Sequence, residues 1–135
     1  MRRCLGYARA MSAASLHLWS LLAWRATHPD ELPPDQSAVG PLNESTIEHA
    51  LASAAIVVAA WGPEGHPLKD RQASAMLTAA QRHRVQMHVL AITRRGDPGH
   101  PLRLPRSLRP RPLTLTVPSC PRATADTFAR PGGTS

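Results

Sequence analysis

Three short stretches gather the residue types that bind anions or move protons. "RATHP" (25–29) offers Arg25 and Thr27. "WGPEGHP" (61–67) offers Trp61, Gly62, Gly65 and His66, and "TRRGDPGHPL" (93–102) offers Thr93, Arg94, Arg95, Gly96, Asp97 and His100. An arginine directly after an apolar run is a forked donor suited to phosphate or carboxylate; its plainer use is to pair with Asp30 or Glu31. Glycines 62 and 65 let backbone approach a ligand. With no Walker pattern and no G-x-G-x-x-G, a simple strand-to-helix turn explains them as well. A histidine between Gly and Pro can donate to a carbonyl or a developing oxyanion, or shuttle a proton; its plainer use is a bond to local backbone. The candidate ligand-binding set is therefore Arg25, Thr27, Trp61, Gly62, Thr93, Arg94 and His100, with His100 the candidate catalytic group.

Other chemistries are less well provided for. Seven histidines are present, yet none is paired at i, i+4 or set in a Cys or carboxylate cluster of metal-ligand spacing, so neither metal nor cofactor is expected. Cys4 and Cys120 lie near opposite ends of the chain, which is neither a disulfide framework nor a zinc site, and they are read as free thiols in a reducing compartment. No Ser–His–acid or Cys–His arrangement can be assigned from residue order.

These residues need elements to hold them. Residues 2–11 read as a short helix with Leu5, Ala8 and Met11 on one stripe. "SLHLWSLLAW" (15–24) is apolar almost throughout, as a strand covered on both faces would be, although its leucines also suit a helix. Four prolines make 27–41 a loop. Asn43 is placed to cap a helix over 44–54, and "IVVAAW" (56–61) is the clearest strand, β-branched and uncharged. A third helix follows over 68–83, with Leu68, Gln72, Ala75, Met76, Ala79 and Ala80 along one side, then the strand "MHVLAI" (87–92). The alternation predicts an α/β fold: a small three-layer, Rossmann-like open parallel sheet occupying 1–113, followed by a disordered basic tail over 114–135. Ligands bind such sheets beyond the carboxyl ends of the strands, where the three loops above would meet.

The whole-chain totals add bounds. At 135 residues there is room for one domain. Aromatics make up 4%, so the core must be built from Leu, Ala, Val and Met, with little apolar area per residue and marginal stability. The formal charge is +7, and from Arg94 onward eight arginines stand against Asp97 and Asp126. That basic stretch suits phosphates of a nucleotide or nucleic acid. Its plainer origin is composition, since fifteen arginines accompany a single lysine and no aromatic stacking platform goes with them. The N-terminus loosely imitates a secretory signal, but Arg9, His17 and a poor cleavage site argue against export, and 13–24 is too short to span a bilayer. A cytoplasmic location with no membrane partner is expected.

The same loops carry a likeness. "RRC.GYAR" (2–9), "RAT.P" (25–29), "GP.N" (40–43), "VVAAWGPEG" (57–65) and "LAITRRGDPGHPL" (90–102) occur in the order found in a bacterial family known as domain of unknown function 1643, which the chain resembles over 1–113. The resemblance implies an uncharacterised α/β domain and also marks departures. The family opens with a strand and an Asn-Pro-Ser type loop ahead of "RRC"; Ser20 stands where it tends to have Asn, and His28 where it has Asp. On that comparison the first strand is expected to be missing, through a misplaced start at Met1 or decay of the gene, with activity in doubt. The edges of 15–24 and 56–61 would then be exposed and prone to self-association. The layout is also similar to the uracil-DNA glycosylase superfamily, from which only His100–Pro101 carries over, as the late loop contacting DNA; a base-flipping relative is what that similarity implies. A noncatalytic binding module, or the remnant of a small-molecule enzyme, are the other readings of the residues. Whether the chain is an enzyme stays open at this point.

Overall fold

A computed structural model describes residues 1–63 and 65–114; the expected basic tail, from residue 115 on, lies outside the described residues. Three helices, α1 (Arg2–Ala10), α2 (Asn43–Ser53) and α3 (Lys69–Arg82), accompany three short strands, β1 (Val57–Ala59), β2 (Met87–Val89) and β3 (Arg111–Pro112). Single 3-10 turns occupy Pro29–Glu31, Gln36–Ala38 and Pro101–Arg103.

The centre is a β1–α3–β2 unit. β1 and β2 run parallel, with Val57 opposite Met87 and Ala59 opposite Val89. A parallel pair needs a crossover between its strands, and α3 is that crossover. Strand alternation sends Met87 and Val89 inward, and they meet Ile47 and Leu51 of α2 and Ala79 and Ala80 of α3 in one core cluster. Val57, Trp61, Met76, Leu77 and Leu113 pack around it half-buried. This is the aromatic-poor core that the composition implies. Along α3 the buried line is Gln72, Ala73, Ala79 and Ala80, so Ala73 takes the place expected for Ala75, which is exposed.

Both helices of the core end by identifiable devices. α3 stops at Arg84, whose φ of +55° is left-handed, while Val85 N–H donates back to Ala80 O at 2.9 Å. This is the bond pattern of a Schellman turn made without glycine. α2 begins one residue earlier than expected. Asn43 is the first helical residue and caps nothing; its buried side chain donates Nδ2 to the carbonyls of Ser20 at 3.2 Å and Leu21 at 3.1 Å.

α1 forms as expected, but its buried residues are Tyr7 and Ala8, while Leu5 is exposed. Tyr7 donates its hydroxyl to Pro105 O at 2.7 Å and Arg3 donates to Leu104 O at 2.6 Å, which fastens α1 to the segment after the Pro101–Arg103 turn. Two polar anchors, rather than an apolar stripe, set its rotation.

Two expectations about the sheet need correction. The run 15–24 is not a strand: it is irregular, and 12–20 are all exposed. It contains no β-branched residue and pairs with no strand among the described residues. Its backbone is held instead by Asn43 and by a bond from Trp24 N–H to Ala38 O at 3.0 Å. Nor is the sheet all parallel. β3 adds to β2 antiparallel, giving the order β1-β2-β3. It arises from a Pro- and Arg-rich stretch with no strand-like alternation, and is fixed by Leu113 N–H donating to Met87 O at 2.8 Å. The result is a small α/β fold with a mixed sheet. Among the described residues no helix is long and apolar enough to cross a membrane.

Candidate functional site

The loops that leave the carboxyl ends of β1 and β2 are tied to each other. Gly62, at φ +76°, donates its N–H to Pro98 O at 2.8 Å. Lys69, the first residue of α3, reaches Asp97 Oδ1 at 2.6 Å, with side chains 14% and 16% exposed. The hydrogen bond to Asp97 holds Lys69 above its ordinary pKa, against the smaller opposite pull of burial. Asp70, on the solvent side, adds a second carboxylate at 3.3 Å.

The loop after β2 is a tight turn built by its own polar groups. Thr93 N–H donates to Asp97 O at 2.8 Å, and Asp97 N–H donates to Thr93 Oγ1 at 3.1 Å. Gly96 N–H closes onto Thr93 O at 3.0 Å with φ +86°, a left-handed conformation that favours glycine. Arg94 and Arg95 therefore occupy the tip of this turn. Both are exposed, and among the described residues neither has a carboxylate partner, because Asp97 is already engaged by Lys69. After the turn, Gly99 N–H donates to Ala91 O at 2.8 Å and returns the chain to the rim.

His100 follows, exposed, at the N-cap of the Pro101–Arg103 turn. Its Nδ1 accepts from Leu102 N–H at 3.3 Å. In the neutral ring this assigns the proton to Nε2, the nitrogen that remains free to donate to a ligand oxygen. His66 is engaged at both nitrogens: Nδ1 accepts from Leu68 N–H at 3.2 Å, and Nε2 donates to Pro33 O at 2.9 Å. That bond links the Pro-rich segment after the first loop to the loop after β1.

The remaining predicted residues are placed as follows. Arg25 is exposed and unpaired among the described residues. The carboxylate of Glu31, one of the two acids that could have paired with it, accepts instead from Thr27 N–H at 3.0 Å and His28 N–H at 3.4 Å. Thr27 is exposed. Trp61 is half-buried and packs on the core cluster, and the Gly62 N–H is taken by Pro98. The structure thus brings Gly62, Thr93, Arg94 and His100 into one set of joined loops. No hydrogen bond or ion pair among the described residues links Arg25 or Thr27 directly to Arg94 or His100. Lys69, which sequence reasoning passes over, is the residue that joins the set; its only signal is being the sole lysine, in the first helical turn after a loop.

Two shallow depressions lie elsewhere. One, lined by Leu77, Gln81, Val85 and Leu113 among others, sits where α3 ends and β2 begins. The other borders the start of α2, between Gln36 and Glu44. Among the described residues no three His, Cys, Asp or Glu side chains gather as a metal would require.

Neither the curated proteins nor the solved structures contain a match to this chain. A family model does match, over residues 1–102, and its description is a protein of unknown function, DUF1643. That span takes in α1, the β1–α3–β2 unit and the joined loops, and on it the chain belongs to the DUF1643 family.

Proposed function

We propose that this chain is a nucleic-acid-directed domain of Rossmann-like layout, which contacts backbone phosphates through the loops beyond β1 and β2. The observation that carries the reading is the state of Asp97. It is the one acid in the turn 93–97, and Lys69 engages it at 2.6 Å, while Arg94 and Arg95 at the tip have no carboxylate partner among the described residues. Paired arginines on a turn tied to a packed helix offer forked donors at little cost in ordering. The free Nε2 of His100 and the exposed Arg25 supply further donors to phosphate oxygens. Binding is the activity assigned, and no reaction is.

Fluorescence anisotropy with labelled single- and double-stranded oligonucleotides across a salt series tests this. Binding is expected, with log K falling linearly in log salt. Arg94→Ala with Arg95→Ala is expected to flatten that slope by about two, about one for each phosphate that is no longer neutralised. No binding at low salt, or a slope that the double substitution leaves unchanged, rejects the proposal.

A further inference from the structure

The two edges of the sheet are unlike. At β3, Pro110 and Pro112 lack donors and Arg109 and Arg111 bring charge, the means by which natural sheets refuse another strand. At β1 none of these is present: no charged residue occurs from Ala50 to Pro63, and among the described residues β1 pairs only with β2. Among the described residues its outward backbone groups have no partner, and Ile56, just ahead of it, is 38% exposed.

A second segment has the same deficit. From Ala10 to Trp24 there is again no charged residue, and Leu16, Leu18, Trp19 and Trp24 are all exposed, Leu18 at 53%. Residues 15–20, the most exposed part, contain no helix, turn or bend. His17 and Trp19 stack with ring centroids 5.4 Å apart, as side chains at i and i+2 do on one face of a strand. Asn43 and Ala38 hold its far end; no backbone bond joins it to β1 among the described residues.

We propose that the run 15–19 of a second copy of this chain, ahead of the backbone groups that Asn43 and Ala38 engage, adds as a strand to the open β1 edge. The edge offers unpaired backbone and the run offers the complementary donors and acceptors. Neither carries a charge that the pairing would bury, so main-chain bonds and apolar burial act together. The blocked β3 edge leaves β1 as the side through which the sheet can grow. Each copy has one run and one edge, so two copies can exchange runs reciprocally and satisfy both deficits in a closed pair.

Sedimentation of the full chain across a concentration series tests the proposal, with two variants that disturb opposite sides of the contact. Leu18→Pro removes a donor from a run that is unpaired within its own copy, and Ile56→Lys places a charge beside the edge. Far-UV circular dichroism is expected to match the wild type for both. The wild type is expected to be dimeric and each variant monomeric, while the control Leu102→Lys, at another exposed apolar residue, stays dimeric. Mixing the two variants is expected to yield a heterodimer, weaker than the wild-type pair, because one intact run still meets one intact edge. A monomeric wild type, dimeric variants, or a mixture that remains monomeric would each overturn it.

Discussion

Lys69 and Asp97 show how a single contact gives the candidate site its charge. The pair joins the start of α3 to the turn at 93–97, and each side chain is mostly buried. Removing one partner leaves the other desolvated and uncompensated, which costs about 1–3 kcal/mol at a partly buried position. Lys69→Met is expected to lower stability by that amount, read as a shift of the urea midpoint at neutral pH. The pH dependence has a definite sign. Asp97 raises the folded-state pKa of Lys69 above its ordinary 10.5. The stabilisation is therefore complete below that value and is lost as pH rises through the folded pKa. The chain has one lysine, so a loss of stability in this alkaline range that vanishes in Lys69→Met belongs to this pair. An alkaline limb identical in wild type and variant contradicts the assignment. Arg94 and His100 stand out as candidates in the sequence because a basic pair and a Gly-His-Pro step are local patterns. Lys69 is not, since its meaning depends on a partner 28 residues away that the Thr93–Gly96 turn aims at it. Asn43 misleads for a related reason: its type suggests a cap, and only the placement of Ser20 and Leu21 makes it a clamp.

Among the elements, α2 and α3 are coupled by packing and by one surface carboxylate. Glu48 accepts from both Arg82 and His83 at the end of α3. The hydrogen bond from His83, with the nearby positive charge of Arg82, holds Glu48 below its ordinary 4.5. A depressed carboxylate stabilises above its unfolded pKa and loses that contribution as pH falls through the folded one. Glu48→Gln is expected to be less stable than wild type at neutral pH and to converge on it in acid. Parallel pH profiles for the two proteins would count against the link. The end of α3 supplies a test of opposite direction. Arg84 holds a left-handed φ of +55°, which glycine adopts without strain. Arg84→Gly is expected to raise the urea midpoint by the equivalent of about 0.5–1 kcal/mol, net of glycine's greater freedom when unfolded. The helices and β1 and β2 are legible because periodicity and β-branching are carried within each segment. The run 15–24 and β3 are not, because a strand exists only with a neighbour. The first has strand-like hydrophobicity and no partner, whereas the second has prolines and arginines and a partner in β2.

For the molecule as a whole, charge is the property that separates a phosphate-binding surface from a merely basic composition. A chain at +7 is destabilised by its own repulsion, so added salt alone is expected to raise Tm modestly by screening. A polyanion that binds the folded state raises Tm by mass action instead, through a stabilisation of about 2.7 kcal/mol when present at 100 times its Kd. The two effects depend on salt in opposite ways: screening helps more as salt increases, whereas counterion release makes polyanion binding fade. Thermal unfolding with and without a single-stranded oligonucleotide, at low and moderate salt, is therefore expected to show a large shift at low salt that shrinks as salt rises. Arg94→Ala with Arg95→Ala separates site from background. If the turn at 93–97 carries the contact, the double variant keeps most of its net positive charge and its response to salt, yet loses most of the oligonucleotide shift. If general charge carries it, the shift declines only in proportion to the two charges removed. Polyglutamate, matched for charge, is expected to shift Tm less than the oligonucleotide, because its carboxylates sit on flexible side chains whose ordering on binding costs entropy, whereas the phosphates are part of the oligonucleotide backbone itself.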